Sequence, residues 1–284
     1  MQSENSLTDA DFIALRDLIH KKTGIFYTDR NRYLLEARAR EFLRQNGPEV
    51  SSCIGSLLNP ATGPAEWNRL ISKITITETS FFRDPLQIAV LAKNVIPEIV
   101  KRREQSGSRL LRLWSAGCSS GEEAYTLAIL LAEHLKDQLT GWNITIFATD
   151  INEEALEACR RAVYKTYALR NTAQELKGRY FRTTSDEKLI IRDELKRLVH
   201  PERANLTDAA ACKKYAGVDL ILLRNVLIYF TATTKSAVLC TCYNNLRDHG
   251  YLFLGQSETV SGKEHPYKRI AFANTFAYQK APER

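Results

Sequence analysis

The stretch that most constrains this chain runs from Leu110 to Glu123, Leu-Leu-Arg-Leu-Trp-Ser-Ala-Gly-Cys-Ser-Ser-Gly-Glu-Glu. An apolar strand ends at Trp114, a loop of small residues follows, and a helix opens at Gly121 with Glu122 and Glu123. Ala124, Leu127, Ala128 and Leu131 then recur at helical spacing. In that order of strand, glycine turn and helix a backbone can approach a nucleotide-like ligand closely, because Gly117 and Gly121 lack a Cβ and tolerate positive φ. The helix start has no Lys-Ser or Lys-Thr for a phosphate loop, and the glycines do not make Gly-x-Gly-x-x-Gly. Two carboxylates at a helix N-terminus suit the macrodipole, repel a pyrophosphate and favour a ligand with positive charge. S-adenosylmethionine fits, with an ammonium, a sulfonium and no phosphate. The alternative, that Glu122 and Glu123 merely cap the helix, stays open at this point.

A chain of 284 residues has room for about two domains. An apolar fraction of 44% with 26% charged residues places it among globular proteins rather than disordered ones. Met1–Asn5 offers neither a basic lead nor an apolar core, and no run approaches the roughly 20 apolar residues that span a bilayer, so a cytoplasmic protein is expected. Cys53, Cys118, Cys159, Cys212, Cys240 and Cys242 form no Cys-x-x-Cys pair and the histidines add no ligand spacing; reduced thiols and no metal are expected. A net charge of +7 permits a nucleic-acid, anionic-membrane or acidic-protein partner, or simply a solvated basic surface.

Residues 8–82 read as helices. Thr8 or Asp9 caps a first helix that Gly24 ends, Asp29 caps a second through about Leu43, Pro48 opens a third that ends by Asn59-Pro60, and Pro64 opens a fourth through about Ile74. The second carries Arg30, Arg32, Arg38, Arg40 and Arg44 against Glu36 and Glu41, a surplus suited to an acidic helical partner or to a solvated face. Thr75 to Pro85, with Phe81, Phe82 and Arg83 among hydroxyl residues, reads as a hinge lining a site. Pro85 starts a new helix, and Lys101 to Ser108 reads as a polar linker. From Leu110 onward strands at 110–114, 144–148, 197–200, 218–223 and 250–255 alternate with helices, predicting a parallel sheet. Tyr180 to Arg192 predicts a small antiparallel insertion, and 267–272 with 275–279 a closing hairpin.

Ligands of open parallel sheets bind at the carboxyl ends of the strands. Gly117 follows the first strand, Asp150 the second, Asn205 the third, and Arg224 and Asn225 the fourth. Asp150 can accept both hydroxyls of an adenosine ribose or can cap the next helix, a job for which Asn152 competes. After the fourth strand, DNA amino-methylases carry Asp or Asn, two prolines and an aromatic; Arg224-Asn225-Val226-Leu227-Ile228-Tyr229 does not, which counts against a base amino group as methyl acceptor. A carboxylate acceptor demands less, being ionised at neutral pH at a pKa of about 4.3, and needs positioning and a cation rather than a strong base.

Ser80-Phe81-Phe82-Arg83, the Gly121-Glu122-Glu123 helix start, Ala148-Thr149-Asp150, and Arg224-Asn225-Val226-Leu227-Ile228-Tyr229-Phe230 together resemble the chemotaxis receptor methyltransferase family, usually called CheR, over nearly the whole chain. The resemblance implies an α/β fold: a small N-terminal helical domain (1–84), a connecting helix and linker (85–108), and a class I, Rossmann-like S-adenosylmethionine-dependent methyltransferase domain (109–284) with a small β insertion at 179–193. It implies methyl transfer from S-adenosylmethionine to glutamates on the cytoplasmic, acidic, helical methylation region of chemoreceptors, leaving S-adenosylhomocysteine. It further implies that Thr77, Thr79 and Arg83 approach the cofactor beside Gly117, that Glu123 binds its amino-acid end, that Asp150 holds the ribose, that Asn205 and Leu206 border the adenine, and that Arg224 and Asn225 close the site. Arg83 would orient the acceptor carboxylate, Tyr229 would position it or the methyl, and Arg38, Arg40 and Arg44 would meet the receptor. Thr77 departs from the family pattern, in which an asparagine matches better. The loop Arg182–Lys188 has no glycine and is short, so docking without a receptor C-terminal pentapeptide is expected. A monomer without nucleic-acid or membrane insertion is expected. The rival readings are a methyltransferase acting on another substrate and a non-catalytic scaffold of a chemosensory array, the latter disfavoured because Arg83 and Tyr229 are both present.

Overall fold

The computed structural model describes residues 7–47, 49–260 and 266–282. Helix α1 (Asp9–Thr23) begins where the Thr8 hydroxyl accepts the Asp11 N–H and ends where Gly24 turns left-handed at φ 79°. A 3-10 turn takes Asp29–Asn31, so α2 (Arg32–Asn46) starts after the expected Asp29 cap and outruns Leu43. No side chain caps it; Arg32 pairs with Glu36 one turn on. The expected start of the third helix at Pro48 lies outside the described residues, and that helix, α3, spans Val50–Leu58. Helix α4 (Gly63–Ile74) has Pro64 in its first turn. Phe12, Leu15, Leu35, Phe42, Trp67 and Ile71 bury the apolar faces of these four against one another.

Helix α5 (Pro85–Val90) passes through one wide π turn, Leu91–Val95, into α6 (Ile96–Gln105). The cause is Pro97, which has no N–H to give to the carbonyl four residues back, while Ile96 donates instead to Leu91, five back. The helix continues to Gln105, so most of the expected linker from Lys101 is helical. Arg102 donates to the His249 carbonyl at 2.9 Å and Arg103 to that of Leu110 at 2.9 Å.

Beyond it come β1 (Leu110–Ala116), α7 (Glu122–Leu135), β2 (Asn143–Asp150), α8 (Glu153–Arg161), β3 (Val163–Tyr164), α9 (Gln174–Tyr180), β4 (Phe181–Thr183), β5 (Leu189–Ile191), α10 (Asp193–Lys196) and β6 (Val199–Arg203). The remainder is α11 (Ala209–Cys212), β7 (Val218–Leu223), α12 (Ala232–Asn245), β8 (Leu246–Leu254), β9 (Tyr267–Phe272) and β10 (Thr275–Lys280). The main sheet runs β6-β2-β1-β7-β8-β10-β9. Its first five strands are parallel, and the closing hairpin is antiparallel. All six residues of β7 are buried, as its continuous apolar run requires of a strand covered on both faces. The insertion is three-stranded, β3-β5-β4; its third strand, only Val163–Tyr164, is too short to show in the sequence. Sequence order changes direction at β1, which therefore opens a crevice at its carboxyl end. No described helix is long and apolar enough to cross a membrane.

The helices are fastened over that crevice by the segment after α1. Ile25 pairs with Phe230, Phe26 donates to the Tyr229 carbonyl at 2.9 Å, and the Asn205 amide donates to the Lys22 carbonyl at 2.9 Å. Gly24 allows the approach: a Cβ there would stand 2.5 Å from Thr207 Cγ2.

At the centre of the sheet the fully buried Trp114 donates its indole N–H to Thr149 Oγ1 at 2.8 Å. Thr149→Val keeps the shape and strands that donor, so urea unfolding should show a loss of about 1–3 kcal/mol; unchanged stability would mean the indole finds another acceptor.

Candidate active site

The glycine loop is held by β2. The N–H groups of Gly117 and Cys118 both donate to the Thr149 carbonyl, at 2.7 and 2.9 Å. Gly117 and Gly121 have φ of 79° and 93°. A Cβ on Gly117 would lie 2.4 Å from Val226 Cγ2, and one on Gly121 would lie 2.3 Å from Cys159 Sγ. Both conformation and space thus demand glycine.

The two carboxylates at the start of α7 have separate jobs. Glu122 is buried and accepts from the Ser120 hydroxyl at 2.7 Å, within its own turn. Glu123 turns toward the sheet, accepting from the Ser115 hydroxyl at 2.6 Å and from Arg224 Nη1 at 3.3 Å. Burial raises its pKa, and the Arg224 guanidinium opposes that rise. Arg224, buried at the end of β7, also donates to the Arg83 carbonyl at 2.7 Å, while its Nε has no partner among the described residues.

Asp150 is spared the capping role. The Asn152 side chain caps α8 by accepting from the Ala155 N–H. The Asp150 oxygens accept instead from the N–H groups of Ser119, at 2.8 Å, and Asn152, at 2.9 Å. Burial raises its pKa and those N–H groups hold the rise back.

Thr75 to Asp84 is pinned along its length. Asn152 donates to the Thr75 hydroxyl at 2.8 Å, Phe81 N–H to the Ala168 carbonyl at 2.9 Å, and Phe82 N–H to the Thr126 hydroxyl at 3.1 Å. Phe82 at φ 52° and Asp84 at φ 65° flank Arg83. Left-handed backbone at a residue other than glycine costs about 1–2 kcal/mol, and the bonds from Thr126 and Arg224 hold it there. The Arg83 guanidinium is left exposed, donating to the Glu78 carbonyl at 3.2 Å.

Two adjoining cavities of about 140 and 100 Å³ occupy the crevice and share Ile76, Gly117, Ser119, Asn225 and Tyr229 as walls. Thr79, Arg83, Glu123 and Arg224 line the first. Ile25, Asp150, Ile151, Asn205, Leu206 and Phe230 line the second, an apolar lobe with one carboxylate. A buried pair of opposite charges complements the zwitterion at the amino-acid end of S-adenosylmethionine, and the apolar lobe with Asp150 complements its adenosine. The glycine loop lies between, with Gly117 and Ser119 in the walls of both. These residues fit the cofactor.

Thr77 and Arg38 lie otherwise than the sequence suggested. Thr77 borders neither cavity; its carbonyl accepts from the Ser119 hydroxyl at 2.9 Å, fastening the glycine loop. Asn205 borders the second cavity, where an adenine neighbour was expected, with its side chain committed to Lys22 and Thr207. Arg38 is half-buried and donates to the Ile74 carbonyl at 3.2 Å, whereas Arg40 and Arg44 are exposed. Helical spacing puts Arg38 on a different face from those two, so the three do not form one patch. Sequence reasoning missed Thr126, whose place among the apolar residues of α7 reads as filler, and the strap residues Thr23 and Ile25, which line the adenosine lobe. It also missed Glu258, just past the carboxyl end of β8, a location that the strand-end rule used for Asp150 could have flagged.

Of the two forms of Glu123, only the carboxylate can pair with an ammonium. Affinity for S-adenosylhomocysteine should therefore be full above its pKa and fall by about tenfold per pH unit below it. Because burial lifts that pKa above 4.5, the loss begins at higher pH than for an exposed glutamate. Calorimetric titration from neutral pH downward checks this; an equally steep profile in Glu123→Gln would assign the effect elsewhere.

Residues 77–276 match the family model "CheR methyltransferase, SAM binding domain", and residues 10–75 match "CheR methyltransferase, all-alpha domain". The "Chemotaxis protein methyltransferase" of Borreliella burgdorferi is 30% identical over 262 residues, covering 92% of each chain. "Chemotaxis protein methyltransferase 2" of Vibrio cholerae is 30% identical over 278 residues, 98% of this chain and 95% of its own. "Chemotaxis protein methyltransferase Cher2" of Pseudomonas putida is 32% identical over 282 residues, 96% of this chain and 99% of its own. Matched along both its helical and its sheet-forming parts, the chain belongs to the CheR family of S-adenosylmethionine-dependent methyltransferases.

Proposed function

We propose that this enzyme methylates glutamate side chains in the cytoplasmic, acidic, helical methylation region of chemoreceptors. The observation that carries the proposal is Arg83: an exposed guanidinium, clamped between two left-handed residues, beside Tyr229 at the cavity that also holds Glu123 and Arg224. S-adenosylmethionine, when bound, supplies a methyl group made electrophilic by its sulfonium. Glu123 takes the ammonium of the amino-acid end and Arg224 its carboxylate, Asp150 accepts from the ribose, and Ile25 and Phe230 keep water from the adenosine lobe. Arg83 holds the acceptor carboxylate, which is already ionised and needs no base. Burial raises the Tyr229 pKa, opposed by Arg38 and Arg83. The phenol therefore stays protonated and positions the acceptor by donating a hydrogen bond. In-line displacement then needs no covalent intermediate. Exposed Ile76 and Ile228 at the rim offer apolar contact to the methylene stem of the acceptor.

The test is transfer of labelled methyl to receptor-containing membranes, followed by mild base. Release as methanol is expected, with kcat/KM lowered about a hundredfold in Arg83→Ala at little change in cofactor affinity. Label that survives base moves the acceptor to nitrogen; full turnover in Arg83→Ala removes that residue from the mechanism.

Receptor docking rests on the exposed Arg40 and Arg44 and does not use a C-terminal pentapeptide. The β4–β5 loop supports the second point. It is closed tightly by the bonds of Thr184 with Lys188 and puts Glu187, at φ 58°, where a longer glycine loop would bend easily. Charge reversal at Arg40 and Arg44 should raise the receptor KM several-fold and spare cofactor affinity, while trimming the receptor's last five residues leaves KM unchanged. A KM that climbs on trimming would overturn the second point.

A further inference from the structure

The turn after β7 is built to bind an anion. Asn225 is left-handed at φ 61°, and Val226 follows in the right-handed region at φ −114°, ψ −43°. The change of hand turns the N–H groups of Asn225 and Ile228 into one concavity, an anion-binding nest. The anion in this nest comes from the same chain. Glu258 is only 4% exposed. Its Oε2 accepts from the N–H of Asn225 at 2.8 Å and of Gly255 at 2.7 Å, and its Oε1 from the N–H of Ile228 at 3.2 Å. The Glu258 N–H in turn donates to the Gly255 carbonyl at 2.9 Å. Gly255 has to be small: a Cβ would stand 2.7 Å from Glu258 Oε2 and 2.9 Å from the Asn225 nitrogen.

The opposite side of the same turn faces the cofactor cleft. Asn225 and Tyr229 are walls of both lobes, and Val226 packs over Gly117, filling the space a Cβ would take. Glu258 itself lines neither lobe.

We propose that Glu258 is a positioning residue for the cofactor: its carboxylate fills the Asn225–Ile228 nest, sets the wall between the two lobes and, through Val226, seats the glycine loop. The proposal rests on the cleft being the S-adenosylmethionine site. A carboxylate serves because it is acceptor-only and can take three N–H groups at once. A glutamine amide in the same place turns an NH₂ against backbone donors. An alanine leaves the nest empty, with room for a small anion.

The experiment compares the full chain with Glu258→Gln and Glu258→Ala, reading S-adenosylhomocysteine affinity by calorimetry and the melting temperature in parallel. Affinity should fall about tenfold or more in both, on the sensitivity of such sites to displacements of about 1 Å, in samples that are still folded at the assay temperature, although the stranded N–H groups lower the melting temperature. Formate should restore the affinity of Glu258→Ala saturably, leaving the wild type unchanged. If the alanine variant does not fold, the glutamine variant decides. Wild-type affinity in Glu258→Gln would overturn the proposal. So would a loss of affinity that tracks a collapse in melting temperature, or a folded Glu258→Ala that formate does not rescue. A wild type that binds no S-adenosylhomocysteine would sink the cofactor site itself, and the proposal with it.

Discussion

Arg224 meets Glu123 where the pieces of this protein converge. The carboxylate begins α7 and is steadied by Ser115 of β1; the guanidinium ends β7 and reaches the carbonyl of Arg83. One buried ion pair therefore joins the central strands, the first covering helix and the segment that leads in from the helical bundle. Burying such a pair brings no certain gain in stability, because desolvation offsets the attraction, whereas losing one partner strands a charge and costs about 3–5 kcal/mol. Its value lies elsewhere. Opposite charges already stripped of water and fixed in place need little reorganisation to receive a zwitterion.

Half of the described residues other than glycine that carry positive φ lie in the same place. Phe82, Asp84, Ser119 and Asn225 are all left-handed without being glycine, and all four lie at or next to the walls of the cleft. Each is held by bonds from a different element: Phe82 from Thr126, the Arg83–Asp84 link from Arg224, Ser119 from Asp150, Asn225 from Glu258. Distortion in a binding wall persists where the surroundings over-determine it, and the cleft is surrounded in that way.

Much of this was legible in the residues. The parallel strands, the glycine loop and the closing hairpin follow from apolar runs punctuated by turn residues, signals that act locally. Gly117, Asp150, Asn205, Arg224 and Asn225 could be located because a parallel sheet collects such groups at strand ends, and Glu123 because it opens the helix after the glycine loop. What stayed hidden was long-range. Nothing near Asn205 in sequence announces that its amide serves Lys22, and nothing near Arg38 announces that it turns inward to the Ile74 carbonyl. A helix end moved where a competing local bond intervened, as in the 3-10 turn at Asp29–Asn31.

The strap from Lys22 to Phe26 closes the second cavity with residues of the helical bundle, Thr23 and Ile25, that share its walls with Asp150 and Leu206 of the sheet domain. A ligand lodged there touches both halves at once and acts as mortar between them: part of its binding free energy is spent on holding the bundle down. By linkage, a ligand that touches both halves steadies the bundle on the sheet by as much as Thr23 and Ile25 add to its binding.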